Sequence, residues 1–229
     1  MHEFLLLFSS LTKRFFVYYN FLMEKIICVL IGYLCGSFLT AVIVTRAFTG
    51  KDVSTLGYDG NPGMANVMKN VGFKAGILVL IGDIAKCVIA SIITWCLFGK
   101  SLGQLVFLYT NLGTSLGHCY PFWRKFHGGK AVVTIEAAII LYSPLYGILA
   151  SLAGFAVVLI TKYLSIAGVV IPLIFTCIAF PLFGKEAGIL SLVLTILSFI
   201  RHRKSIYKDL TGTGFKTDLV AKVTKKEEK

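Results

Sequence analysis

The chain has 229 residues, of which 56% are hydrophobic and 15% are charged, whereas a soluble domain carries roughly 25% charged residues. Long apolar runs between charged clusters indicate a helical membrane protein and exclude a soluble globular domain. Lysine and arginine outnumber aspartate and glutamate by 23 to 11, which gives a formal net charge of +12. In a soluble protein this excess would suggest nucleic acid binding. In a membrane protein the positive-inside rule explains it better, so we expect no nucleic acid partner.

Residues 1–23 form an N-terminal extension without the basic start and small-residue cleavage site of a signal peptide. In the topology predicted below, its basic residues and Lys25 would lie on the outer side, against the positive-inside rule. Met23 directly precedes the first good span, so initiation at Met23 would remove much of this conflict. An interfacial aromatic helix over 10–22 is the alternative.

The spans that follow are predicted from apolar runs near the ~20 residues that a helix needs to cross a bilayer. The clear runs cover about 26–46, 73–98, 104–122, 168–183 and 186–200. A further region, 131–161, is too long for one comfortable span, and Ser143-Pro144 interrupts it, so we predict two short or tilted helices there. The fold class is therefore all-α: a polytopic membrane protein with seven transmembrane helices, some of them short, and Gly-rich cytoplasmic loops.

The basic residues support two helices over 131–161. They cluster in a first loop, residues 47–72, in a second loop, residues 123–130, and in the tail from Arg201, whereas the opposite loops offer only two lysines. A single span over 131–161 would place the tail outside, against the positive-inside rule. We therefore expect both loops and the C-terminus to be cytoplasmic. The predicted divisions are an extension (1–23), a seven-helix membrane domain (24–205) and a basic cytoplasmic tail (206–229).

The cysteines all lie in apolar runs, and no two of them are spaced as C-x-x-C. A disulfide framework or a zinc site would need paired spacings, so we interpret them as small packing residues. They are Cys28, Cys35, Cys87, Cys96, Cys119 and Cys177.

The second loop ends in a Gly-Gly-Lys sequence between two apolar runs. Gly128 and Gly129 let backbone N–H groups converge on an anion, and Lys130 supplies the countercharge. Apolar residues resume at Ala131, which predicts a helix N-terminus where the dipole also favours negative charge. The pattern is not a nucleotide P-loop, because Ala131 stands where Ser or Thr should follow. It suggests a phosphate held against a bilayer, although Gly-Gly-Lys is as often a plain basic turn that anchors headgroups.

The first loop contains a second concentration of glycine, asparagine and lysine. Gly60, Asn61 and Gly63 can adopt the left-handed or turn conformations of an anion-binding nest, and Asn66 and Lys69 add hydrogen-bond donors. An ordinary Gly/Pro/Asn loop is the alternative. The predicted topology places this loop on the same side of the membrane as the Gly-Gly-Lys sequence.

Several polar residues lie in or beside the predicted spans. Asp83 and Lys86 are spaced i, i+3 on one helical face, and we expect them to pair, because burying either charge alone is costly. Glu136 lies one or two turns into its helix, where it is either functional or part of a structural ion pair. Single histidines near loops are more often interfacial anchors than catalysts. The histidines concerned are His118, His127 and His202.

These elements together resemble a known family. The motifs are Gly-Asn-Pro-Gly-x-x-Asn-Val (60–67), Asp-x-x-Lys (83–86), Gly-His-x-x-Pro-x-x-x-x-Phe-x-Gly-Gly-Lys (117–130) and Arg-His-Arg (201–203). The fifth span is followed by Tyr163-x-Ser165, and the tail contains Thr211-Gly212. In order and spacing the chain resembles, over about 24–216, the bacterial acyl-phosphate:glycerol-3-phosphate acyltransferase family, usually called PlsY.

The resemblance implies transfer of a fatty acyl group from acyl phosphate to the 1-hydroxyl of glycerol 3-phosphate, giving lysophosphatidic acid for phospholipid synthesis. It implies a bacterial plasma membrane protein with no metal, no other cofactor, no acyl-CoA and no covalent acyl-enzyme. Lys130, Asn66 and His202 are then the expected catalytic residues. The expected substrate-binding residues are Gly60, Asn61, Gly63, Lys69, Gly128, Gly129 and Ser165.

The chain departs from the family pattern at five positions. Asp59 replaces Ser, Ala65 replaces Thr, Lys69 replaces Arg, Gly168 replaces Ser and Ser205 replaces Asn. Asp59 would repel two phosphates unless it is protonated or paired, for example with Lys69 or Lys130. Two alternatives to the acyltransferase therefore stand: a degenerate member that binds lipid or a partner without turnover, and a small-solute transporter, which Asp83, Lys86 and Glu136 suggest. The transporter is disfavoured because the sequence shows no internal repeat.

Overall fold

The structure, a computed structural model, describes residues 2–57, 60–214 and 216, with side chains from residue 18 onward. Within these residues it contains helices and no β-strand. The α-helices are α1 (His2–Gly36), α2 (Thr40–Thr49), α3 (Met64–Asn70), α4 (Phe73–Leu102), α5 (Leu105–Cys119), α6 (Val132–Tyr142), α7 (Pro144–Thr161) and α8 (Leu164–Leu210). Short 3-10 helices cover Val53–Thr55 and Phe122–Arg124. The all-α fold class is confirmed.

Four helical stretches of the described chain are long and apolar enough to cross a bilayer. They are Tyr18–Thr49, Phe73–Leu102, Pro144–Thr161 and Leu164–Leu210. The apolar helix α6 has 11 residues and α5 has 15, so both are shorter than a full span. Because α1 runs without a break from His2 to Gly36, the segment 10–22 is helical and continuous with the first apolar run.

The first predicted span, 26–46, is not one helix. Residues 37–39 separate α1 from α2, and the Ser37 hydroxyl donates to the Tyr33 carbonyl at the end of α1. The preceding turn packs so closely on α5 that a Cβ at Gly36 would lie 2.1 Å from the Thr114 carbonyl oxygen. The break has a consequence for the site, because it releases the Phe38 carbonyl from helical pairing and leaves it for a side-chain donor.

The region 131–161 forms two helices, as predicted. Ser143 has φ −145° and ψ 95°, and Pro144 is the first residue of α7. The proline ring disfavours helical geometry in the preceding residue and has no N–H to continue the α6 ladder, which explains the position of the break.

Helix α8 folds back on itself at Gly184, whose φ of 87° and ψ of 177° interrupt the helix. The Thr176 and Thr195 hydroxyls lie 2.9 Å apart, and the Ser198 hydroxyl donates to the Gly168 carbonyl at 2.6 Å. These contacts make 164–183 and 185–210 an antiparallel pair, in agreement with two predicted spans on either side of this glycine. The second segment ends at Leu210, so it extends beyond the membrane domain expected from the sequence.

Helix α5 lies at the centre of the fold and packs against α1, α4, α6 and α8. Its glycines allow backbones to approach closely: a Cβ at Gly113 would lie 2.1 Å from the Val29 carbonyl oxygen on α1. Such small residues permit tight helix packing in membranes. The six cysteines are free thiols, and three of them, Cys28, Cys87 and Cys119, are buried, which agrees with the predicted packing role for those three.

Candidate active site

The second loop connects α5 to α6 and ends at the predicted helix N-terminus. Helix α6 begins at Val132, directly after Ala131, which has a φ of 60° and is 2% exposed. Lys130 therefore immediately precedes the positive end of a helix dipole, where an anion is favoured. This part of the prediction from the Gly-Gly-Lys sequence is confirmed.

The two glycines of this loop use their N–H groups within the protein. The Gly128 N–H donates to the Cys119 carbonyl at 3.0 Å, and the Gly129 N–H donates to the His118 carbonyl at 2.9 Å. The expectation that both groups converge on an anion is therefore wrong for this structure, because both donors already have protein acceptors. Glycine is required here for space: a Cβ at Gly129 would lie 2.0 Å from the His118 Nε2 atom.

Arg201, on the second segment of α8, forms hydrogen bonds with the backbone of the second loop. Its Nε atom donates to the Gly129 carbonyl at 2.9 Å and its Nη2 atom to the Gly128 carbonyl at 2.8 Å. The guanidinium also lies 5.0 Å from the centre of the Tyr120 ring. Arg201 belongs to the Arg-His-Arg motif, but no role was predicted for it from the sequence. Arg201 therefore holds the backbone just before Lys130 against α8.

The structure brings Lys130 and His202 into one region. The Lys130 Nζ atom donates to the Ser205 hydroxyl at 2.8 Å, and His202, one turn earlier on α8, is 2% exposed. The His202 Nδ1 atom lies 2.9 Å from the Ser198 carbonyl oxygen, so a neutral ring carries its hydrogen on Nδ1 and presents a lone pair at Nε2. A Cβ at Gly168 would lie 2.9 Å from that Nε2 atom.

A carboxylate that was not predicted from the sequence as a site residue lies nearby. The Ser165 hydroxyl donates to the Asp209 carboxylate, and Asp209 is 7% exposed at the end of α8. The available signal was a single acidic residue in an otherwise basic segment. Because Ser165 lies at the start of the first segment of α8 and Asp209 near the end of the second, this bond closes the antiparallel pair at the same end as Lys130.

Hydrogen bonds among its own residues hold much of the first loop in shape. Asn66 donates both hydrogens of its amide, to the Asn61 carbonyl at 3.0 Å and to the Leu56 carbonyl at 3.2 Å. The expectation that Asn66 supplies these donors to an anion is therefore not supported by this geometry. Of the conformations predicted for this loop, left-handed or turn, Gly60 has the left-handed one, with φ 58°. Gly63 has an extended backbone, with φ −141°, and caps α3. Asp59, and its expected pairing with Lys69 or Lys130, lies outside the described residues.

A two-pronged ion pair joins the two loops. The Arg124 Nη1 and Nη2 atoms each donate to the Asp52 carboxylate at 3.0 Å. Asp52 also accepts from the Ser54 N–H at 2.9 Å and thereby caps a 3-10 helix. The Arg124 guanidinium and the Ser54 donors hold the pKa of the Asp52 carboxyl well below its usual range, and Asp52 raises the pKa of Arg124. This pair was not predicted from the sequence.

Beneath the second loop lies a buried ionic network. The Lys86 Nζ atom is 2.8 Å from the Asp83 Oδ1 atom, which confirms the predicted pairing, and 2.8 Å from the His118 Nδ1 atom. His118 and His202 are buried, so interfacial anchoring is the wrong interpretation for both; His127 is exposed. Among the described residues Glu136 forms no salt bridge, so the structural ion pair considered for it is not found.

The fold and these contacts define a helical membrane protein with a basic site built from two interhelical loops and the end of α8. The model of the glycerol-3-phosphate acyltransferase family matches residues 26–212. Glycerol-3-phosphate acyltransferase 1 of Lactobacillus johnsonii is 37% identical over 204 residues, which cover 89% of this chain and 98% of that protein. The glycerol-3-phosphate acyltransferase of Thermoanaerobacter sp. (strain X514) is 31% identical over 202 residues, covering 86% and 100%.

Solved structures agree with the sequence relatives. The crystal structure of PlsY (YgiH), an integral membrane glycerol 3-phosphate acyltransferase, in its glycerol 3-phosphate form has a TM-score of 0.76 and 27% identity. The match covers 87% of this chain and 98% of that one. The lysophosphatidic acid form has a TM-score of 0.72 and 26% identity, covering 84% and 94%. The chain belongs to the glycerol-3-phosphate acyltransferase family, and it is an enzyme of that family.

Proposed function

We propose that the protein transfers a fatty acyl group from acyl phosphate to the 1-hydroxyl of glycerol 3-phosphate, with lysophosphatidic acid and inorganic phosphate as products. One observation carries the proposal: Lys130, at the N-terminus of α6, lies beside His202 and Ser205 of α8. The solved relatives support the substrate and the product, because PlsY is described in a glycerol 3-phosphate form and a lysophosphatidic acid form.

The chemistry needs charge neutralisation more than a strong general acid. The hydroxyl oxygen of glycerol 3-phosphate attacks the carbonyl carbon of acyl phosphate, the bond from that carbon to the phosphate oxygen breaks, and phosphate leaves. The hydroxyl proton passes to the departing phosphate or to solvent, so the atoms and charges balance. Lys130 stabilises the negative charge that develops on the leaving group. Holding two anions together in a water-poor site supplies a large part of the rate.

The acceptor is held by the surrounding residues. His202 presents its Nε2 lone pair, which can accept a hydrogen bond from a hydroxyl of glycerol 3-phosphate. Lys69 supplies a positive charge for its phosphate, although a lysine lacks the two-pronged grip of an arginine. The other residues proposed to line the substrate site are Gly60, Asn61, Gly63, Gly128, Gly129 and Ser165. Asn66 contributes by shaping the first loop rather than by touching phosphate.

We propose seven membrane passes: α1 with α2, then α4, α5, α6 and α7, then the two segments of α8. Two groups of polar contacts are consistent with this arrangement, because they lie at opposite ends of the bundle. Arg201 and Asp209 make theirs at the end that holds Lys130. At the other end, Lys25 pairs with Glu186 at 2.6 Å. The basic first and second loops and the tail would then face the cytoplasm of a bacterial plasma membrane.

Topology is tested with single cysteines at Lys51 and Lys208 in a background whose native cysteines are replaced. Both are expected to resist an impermeant thiol reagent in intact cells and to react after the membrane is opened. A cysteine at Lys100 is the matched control and is expected to react from outside. Labelling of the Lys51 or Lys208 position in intact cells would contradict the seven-pass proposal.

The donor is tested with purified protein and labelled glycerol 3-phosphate, supplied with either palmitoyl phosphate or palmitoyl-CoA. Lysophosphatidic acid is expected only with palmitoyl phosphate. Product from palmitoyl-CoA alone would overturn the donor assignment. No product from either donor would favour a family member that binds lipid without turnover. The transporter alternative loses part of its support because Asp83 and Lys86 neutralise each other, and the match to the acyltransferase family disfavours it further.

A further inference from the structure

The buried Lys86 side chain has a complete set of hydrogen-bond partners. Its Nζ atom lies 2.8 Å from the Asp83 Oδ1 atom, 2.8 Å from the His118 Nδ1 atom and 3.2 Å from the Phe38 carbonyl oxygen. Lys86 is 6% exposed, Asp83 2% and His118 4%. A lysine ammonium carries three donor hydrogens and no acceptor. Three acceptors around three hydrogens leave one hydrogen for each partner.

This geometry assigns the tautomer of His118. The Nδ1 atom must accept a hydrogen from Lys86, because an N–H at Nδ1 would place two donors face to face at 2.8 Å. The ring is therefore neutral and carries its hydrogen on Nε2. Asp83 does not change the assignment, because its nearest carboxylate oxygen is 3.9 Å from the His118 Nδ1 atom and accepts from Lys86 instead.

The Nε2 side of the ring lies against the loop that carries Lys130. A Cβ at Gly129 would meet the Nε2 atom at 2.0 Å, so the ring packs directly on the glycine backbone. The His118 carbonyl accepts the Gly129 N–H at 2.9 Å. His118 thus supports the loop twice, once through its backbone and once through its side chain.

We propose that His118 is a positioning residue for Lys130, with its Nε2–H tautomer fixed by the Lys86 ammonium. The network also explains why a lysine is used: one ammonium can satisfy the Phe38 carbonyl freed between α1 and α2, the Asp83 carboxylate and the imidazole at once. For its kinetic consequences this inference rests on the proposed acyl transfer. The tautomer itself does not depend on turnover, so an experiment can contradict the tautomer without contradicting the proposed acyl transfer, and the reverse.

The tautomer is tested by nitrogen NMR of protein labelled with ¹⁵N-histidine, and the His118 signals are assigned by their loss in His118→Gln. At neutral pH we expect a single neutral form with hydrogen on Nε2. In the variant Asp83→Leu/Lys86→Met, which removes both charges together, we expect a mixture of tautomers. A charged ring, or a hydrogen on Nδ1 in the native protein, would overturn the proposal. An unchanged Nε2–H form in the double variant would show that Lys86 does not fix it.

Kinetics provide the second readout. A glutamine amide reaches the position of Nε2, whereas an asparagine amide reaches only that of Nδ1, so His118→Gln and His118→Asn separate the two ring nitrogens. We expect kcat to fall about tenfold or less in the glutamine variant and about a hundredfold in the asparagine variant. The KM for glycerol 3-phosphate is expected to change less than kcat. His127→Asn, on an exposed residue of the same loop, is the control and should match the parent.

Equal losses of kcat in the two His118 variants, at equal amounts of folded protein, would contradict the positioning role. If the parent protein itself shows no acyl transfer, the proposed function fails, and the NMR result still decides the tautomer. If His118→Asn does not fold, the kcat of His118→Gln is compared instead with that of the Asp83→Leu/Lys86→Met variant. The loss of kcat should be about tenfold or less in His118→Gln and larger in the double variant.

Discussion

The two loops of the candidate active site are held in place in different ways. The first loop is shaped by neighbours in sequence, such as the Asp52 cap on Ser54 and the amide of Asn66. The second loop is shaped by helices on either side, through the carbonyl of His118 and the guanidinium of Arg201. The geometry around Lys130 therefore depends on residues distant in sequence, whereas the first loop depends mainly on itself. Variants of the two loops should differ accordingly.

The largest effect is expected for Lys130→Ala. Removing one charge that stabilises the departing phosphate should cost about 2–4 kcal/mol of transition-state stabilisation, and acyl transfer should be nearly abolished. The enzyme should still insert and fold, because Arg201 still joins the second loop to α8. Steady-state rates of purified protein check this, with Lys125→Ala in the same loop as the control. A rate within twofold of the parent would remove Lys130 from the mechanism.

The second prediction concerns the support of the second loop by the core. Gly129→Ala would press a methyl group onto the His118 ring, and such overpacking costs about 1–3 kcal/mol. We expect a lower unfolding midpoint in detergent together with a loss of activity. Adding His118→Ala makes space for the methyl group, so the effects on stability should be less than additive. Full additivity would show that the ring and the glycine do not press on each other.

The third prediction separates two roles for Asn66 in the first loop. If Asn66 shapes the loop, Asn66→Ala leaves the Asn61 and Leu56 carbonyls without their donor, at a cost of about 1–2 kcal/mol in stability. The KM for glycerol 3-phosphate should then rise more than kcat falls. If Asn66 instead donates to the leaving phosphate, kcat falls strongly and the unfolding midpoint does not move. That second outcome would contradict the structural role assigned here.

The smallest effect is expected for the ion pair that joins the loops. Asp52 and Arg124 are partly exposed, and such pairs contribute about 0.2–1 kcal/mol, with two-pronged geometry favouring the upper end. Asp52→Asn and Arg124→Leu are each expected to raise the KM for glycerol 3-phosphate modestly. In a double-mutant cycle their effects should be less than additive. Additive effects would mean that the pair does not couple the loops.

The same pair predicts a pH dependence. The pKa of Asp52 is lower in the folded protein than in the unfolded chain, so its contribution to stability is present above the unfolded pKa. That contribution is lost as the pH falls through the folded pKa. The stability difference between the parent and Arg124→Leu should therefore shrink on acidification and stay constant at higher pH. A difference that grows as the pH falls would contradict the assigned pair.

The sequence predicted features that arise from local chemistry. The break at Ser143-Pro144 follows from the proline ring, the start of α6 from the change to apolar residues, and the bond between Asp83 and Lys86 from helical spacing. These causes act within a few residues of one another.

The sequence did not predict features that depend on distant contacts. The interruption between α1 and α2 accompanies close packing of Gly36 on α5, which no local pattern encodes. The amides of Gly128 and Gly129 were expected to bind an anion, but the carbonyls that accept them come from the end of α5. Asp52 and Arg124 are 72 residues apart, so their pairing requires the tertiary fold.

The central claim is that Lys130 takes part in acyl transfer from acyl phosphate to glycerol 3-phosphate. Phosphorus NMR of the purified enzyme with both substrates follows donor, acceptor and products in one sample. The account predicts that one inorganic phosphate and one lysophosphatidic acid appear for each acyl phosphate consumed, and that neither product accumulates with an equal amount of folded Lys130→Ala. Phosphate release without lysophosphatidic acid, or equal product formation by Lys130→Ala, would contradict it.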